Sequence, residues 1–100
     1  MLLDRPVVTV ATAGTAVPCS TTLNDYASTV FLTADSANTG NAFAGGSTVN
    51  AALGRGIPLP KGAPVNLVLI SPTFPGYDLN KIMIDSTASG DKVHVAFAIP

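Results

Sequence analysis

The side chains able to do chemistry are few: one histidine, His94, one cysteine, Cys19, and six carboxylates, at Asp4, Asp25, Asp35, Asp78, Asp85 and Asp91. Acid–base or nucleophilic catalysis needs a base within reach of the reacting group and a third residue that orients it. The spacing of these residues makes no such motif. His94 sits in the middle of "KVHVAFAI", on the strand face opposite the valines, which marks a surface or interface histidine; a zinc site would need further His or Cys partners. The glycines of "ALGRGIP" lack the following Lys-Ser/Thr pair that reaches phosphate and magnesium in a phosphate loop. Asp35, Asp78, Asp85 and Asp91 fall in or beside turns, where a carboxylate accepts hydrogen bonds from nearby backbone amides more often than it binds calcium. A single cysteine closes no internal disulfide, and Cys19 has no cationic cluster around it in sequence, so it reads as a small buried thiol. No catalytic, metal-binding or cofactor-binding residue is expected, and the chain is read as no enzyme. The aromatics Tyr26, Phe31, Phe43, Phe74, Tyr77 and Phe97 could contribute a sugar-binding platform, but core packing is the commoner fate of Phe and the chain has no Trp.

Charge excludes other partners. The net charge is -1, and the five cations, Arg5, Arg55, Lys61, Lys81 and Lys92, form no basic block, so nucleic acid is not an expected partner. No apolar run approaches the ~18 residues of a transmembrane helix, so no membrane is expected either. Asp4 and Arg5 interrupt "MLLDRPVV" where a secretory signal needs an apolar stretch, and the protein is expected to stay in the compartment where it is made. Charged residues are only 11% of the chain, against roughly 25% in an ordinary soluble domain. Two readings are open. The 18 Ser and Thr keep the surface wet, or much of the surface lies in protein contacts, whose buried centres are depleted in charge.

The elements that must position these residues are strands. One hundred residues fit a single domain, 1–100, which by surface scaling exposes about 5,300 Å² when folded. "RPVVTVAT" is β-branched, and "PCSTTL" offers a second short extended piece after Gly14 and Pro18. A turn or single helical turn is expected between Asn24 and Ser28. In "STVFLTAD" alternation puts Val30, Leu32 and Ala34 on one face, with Phe31 and Thr33 on the other. "SANTGNAFAGGS" suits a hairpin with positive φ at its glycines. The Gly and Pro density from Gly54 to Pro64 excludes a regular helix, restricts any strand there to an edge, and implies a long excursion. "VNLVLI" has apolar residues in both registers and is expected to be buried on both faces. "SPTFPGYD" is a loop. "LNKIMID", with Ile82 and Ile84 on one face, is expected to form a terminal hairpin with "KVHVAFAI", whose Val93, Val95, Phe97 and Ile99 share a face. The predicted fold is all-β, an antiparallel, jelly-roll-like β-sandwich with Val30, Leu32, Leu67, Leu69, Ile82, Ile84, Val93, Val95 and Phe97 in its core.

Taken in order, "STVFLTADSANTGNAFAGGSTV", "GRGIPLPKGAPVNL" and "DLNKIMIDSTASGDKVHVAFAIP" resemble a pattern in small structural proteins of tailed bacteriophages, among them capsid decoration or cement proteins. The pattern runs from an apolar strand and an Asn-Thr-Gly turn through a short aromatic-centred strand. It continues with a Gly-rich segment ending in Leu-Pro-x-Gly and closes on two strands joined by a Gly-Asp turn. It covers residues 28–100, and Ala42 and Ala44 stand where the pattern has bulkier aliphatics. The resemblance implies a noncatalytic virion protein on the outside of the head, binding the major capsid protein, assembled as a homo-oligomer (dimer or trimer), and made in the host cytoplasm. The alternative is a carbohydrate- or receptor-binding module of a tail or fibre component. The candidate interface is Arg55, Ile57, Leu59 and Lys61, two aliphatic side chains flanked by cations in a segment stiffened by Pro and Gly, which loses little entropy on docking.

Overall fold

Period-two alternation produces the strands on which the rest is built. In the computed structural model, which describes residues 2–4, 7–62, 67–71 and 76–99, the longest are β5 (Thr29–Ala34) and β11 (Asp91–Ala98). They pair antiparallel from Val93 opposite Ala34 to Ala98 opposite Thr29. Val30, Leu32, Ala34, Val93, Val95 and Phe97 point inward and are buried, as their spacing predicts. Features expected at Arg5, Pro64, Val65, Asn66 and Phe74 lie outside the described residues.

Around this pair, β1 (Leu2–Asp4) and β2 (Val8–Val10) both line one side of β11, and β8 (Leu67–Ile70) lines the far side of β5. A second antiparallel sheet has the order β3 (Val17–Pro18), β10 (Met83–Ser86), β6 (Ala42–Gly45), β7 (Ile57–Leu59). Its Ala42, Ala44, Leu59 and Ile84 meet the valines, Leu32 and Phe97 of the first sheet in one continuous core. A small ribbon of β4 (Tyr26–Ala27) and β9 (Tyr77–Asp78) is paired at the side. The fold is all-β and sandwich-like. Its exposed area, 5428 Å², matches the value expected for one compact domain of this mass.

The pairing is nested: β1 and β2 with β11, β3 with β10, β5 with β8, and β6 with β7. Two expected hairpins are therefore absent. β5 and β6 lie in different sheets, and so do β10 and β11, so the Asn-Thr-Gly and Ser-Gly-Asp turns are arches that carry the chain across the sandwich. Gly40 is required for close approach and not for positive φ, since a Cβ there would lie 2.5 Å from Thr87 Oγ1 and 2.8 Å from Ala88 Cβ. Of the two alternatives expected for Asn24–Ser28, the structure has a turn, at Leu23–Asn24, and no helical turn. Asn24 takes a left-handed φ of 57° and the chain then enters β4. β8 is buried on one side only, with Val68 and Ile70 exposed and Leu67 and Leu69 half-buried, because an edge strand of one sheet has a second layer over a single face.

The two arches are joined by side-chain-to-backbone bonds. Asp91 continues the inward alternation of Val93, Val95 and Phe97, so its carboxylate enters the end of the core. It accepts from Thr39 N and Gly40 N at 3.0 Å each and from Ser86 Oγ at 2.6 Å. Asn38 completes the join: its Nδ2 donates to Lys92 O at 2.9 Å and its Oδ1 accepts from Lys92 N at 2.7 Å. Asp85, fully buried, lies under the opposite face of the second sheet. There it accepts from Gly14 N at 3.0 Å, Ala51 N at 2.8 Å and Ser86 N at 2.8 Å, tying two further loops to β10. Burial alone would raise the Asp91 carboxyl, but the bonds from Ser86, Thr39 and Gly40 outweigh it and hold the group below the ordinary carboxylate range.

Asp91→Ala strands two backbone amides and a hydroxyl without their acceptor and is expected to cost about 3 kcal/mol or more, at ~1–3 kcal/mol per unsatisfied buried group. Asp4→Ala, at an exposed position, should stay within about 0.5 kcal/mol. Because the folded Asp91 titrates below its unfolded value of about 3.9, its contribution is complete above that pH and is lost as pH falls through the lower folded value. Urea melts of wild type and Asp91→Ala between neutral pH and pH 2 should therefore converge in acid.

Candidate functional site

The segment from Gly54 to Gly62 is short-range structure more than excursion. Asn50 and Arg55 exchange both backbone hydrogen bonds, at 3.0 and 2.9 Å. Between them Ala51–Leu53 makes a single 3-10 turn, capped by Asn50 Oδ1 accepting from Leu53 N and ended by Gly54 in the left-handed region. Gly56, at φ 122°, brings the chain alongside β6, where a Cβ would lie 2.7 Å from Val49 Cγ2 and 2.8 Å from Ala44 O. β7 follows as the edge of its sheet, where Pro58 leaves no central ladder bond unmade.

This geometry separates the four expected interface residues. Ile57 is 46% exposed but Leu59 is 1% exposed and belongs to the core: the two share the face of β7 that lies opposite the buried Ala44 and Ala42, and the other layer covers Leu59 while leaving Ile57 at the open side of the sandwich. Leu59 is therefore corrected from interface to core. Arg55 is exposed. Lys61 is exposed as well, but its Nζ donates to Asn38 O at 2.9 Å, which anchors this segment to the first arch. Arg55, Ile57 and Lys61 thus stand at the surface and Leu59 does not.

Ile57 also lines a groove of about 350 Å³ along the side of the sandwich, with Ala44, Leu67, Leu69, Tyr77 and Ile82 as its apolar walls and Asp78 and Lys81 as its charged residues. Asp78 is structurally committed, since its Oδ1 accepts from Asp25 N at 3.2 Å and Asn80 N at 3.0 Å. Such a groove suits apolar side chains of a partner. It escaped the sequence because its walls come from both sheets and from residues read as interior. The signal was present in "LVLI", but a continuous apolar run does not distinguish one covered face from two.

Of the residues that could do chemistry, His94 and Asp35 are brought together. His94 lies on the outer face of the first sheet with Nε2 3.4 Å from Asp35 Oδ2, a pair made by the β5–β11 register. The Asp35 carboxyl is held low chiefly by the Ala37 amide; burial opposes this, and His94 and Lys92 add to the lowering. Cys19 is buried, and burial pushes its thiol up to about 12, which keeps it protonated and unreactive. Among the described residues no group of three His, Cys, Asp or Glu side chains is placed to hold a metal ion.

Leu59→Ser should lower stability by at least about 2–5 kcal/mol, the range for emptying a buried aliphatic site, whereas Ile57→Ser should change it by less than about 0.5 kcal/mol. Thermal melts of the two single variants distinguish core from surface; equal effects would contradict the assignment. No family model, no curated protein and no solved structure matches the chain, so its functional reading rests on this geometry and on the order of motifs in the sequence.

Proposed function

We propose that the chain is a noncatalytic structural protein of a tailed-phage virion, a capsid decoration or cement protein. In this reading it is made in the host cytoplasm, forms a small homo-oligomer, and sits on the outside of the head, where it clamps neighbouring subunits of the major capsid protein. The observation that carries the reading is the surface. Val7, Leu23, Leu53, Ile57, Val68 and Ile70 are large apolar side chains left exposed on a chain with only 11% charged residues. Exposed apolar side chains on a charge-poor surface suit a protein held on several sides. A repeating lattice would also turn modest single contacts into durable attachment.

The strand order supports a finer description of the fold. With β1 and β2 counted as one interrupted strand and the β4–β9 ribbon set aside, eight strands pair first with last, second with seventh, third with sixth and fourth with fifth. This nesting suits a jelly roll, an architecture used by viral capsid proteins and by lectins alike. The second half of that pair keeps the runner-up in view: the groove that sets Tyr77 beside Asp78 and Lys81 favours a small ligand, such as a receptor sugar, on a tail or fibre component.

Counting copies in purified particles separates the two. Hundreds of copies per particle, located on the head, are expected of a decoration protein; a handful at the tail would overturn that reading in favour of receptor binding, and absence from particles would overturn both.

A further inference from the structure

We draw no further inference here: the strongest candidate, the apolar groove along the side of the sandwich lined by Ile57, Leu67, Leu69, Tyr77 and Ile82, borders residues outside the described ones, and nothing in the structure shows what covers it.

Discussion

The fold depends on a carboxylate placed where a sandwich would ordinarily end in a hydrophobic side chain. Asp91 follows the inward alternation of β11 into the end of the core, and the hydrogen bonds it accepts from Thr39, Gly40 and Ser86 all come from neutral donors. Burying a charge without such bonds is costly. With them, the anion serves as a shared acceptor for an arch that would otherwise bury unsatisfied amides. Gly40 is part of the same constraint, because only a residue without Cβ lets the first arch lie against Ala88 and Thr87. Once the two arches are fixed side by side, β5 and β11 are held in one sheet and β6 and β10 in the other.

Asp85 does comparable work on the outer face of the second sheet, where it holds the Gly14 loop and the start of the Ala51 turn. The carboxylates that a catalytic reading would single out are thus used to close loops. The surface is left with scattered apolar side chains, an uncharged strand edge and a side groove. The fold by itself does not select among functions.

Much of this was legible in the sequence. The alternation in β5 and β11 identified Val30, Leu32, Val93, Val95 and Phe97 as core, and the Gly and Pro content confined the Ile57 region to an edge. The errors share one cause. "NTG" and "SGD" have the composition of hairpin turns, and nothing local distinguishes a hairpin from an arch: the deciding bonds join Asp91 to residues 51 and 52 positions away. The separation of Ile57 from Leu59 and the one-sided burial of β8 are likewise set by what the neighbouring layer covers. The Asp35–His94 pair was hidden for the same reason, since only the strand register brings the two together.

The arch clamp is tested most directly by amide hydrogen exchange, followed residue by residue by NMR near neutral pH. Thr39 and Gly40 lie outside any strand, where amides ordinarily exchange quickly, yet each donates to a buried carboxylate. Protection comparable to that of Val95 and Leu32 in the central strands is the predicted result. Exchange of Thr39 and Gly40 at the rate of an open loop, with the central strands still protected, would contradict the account.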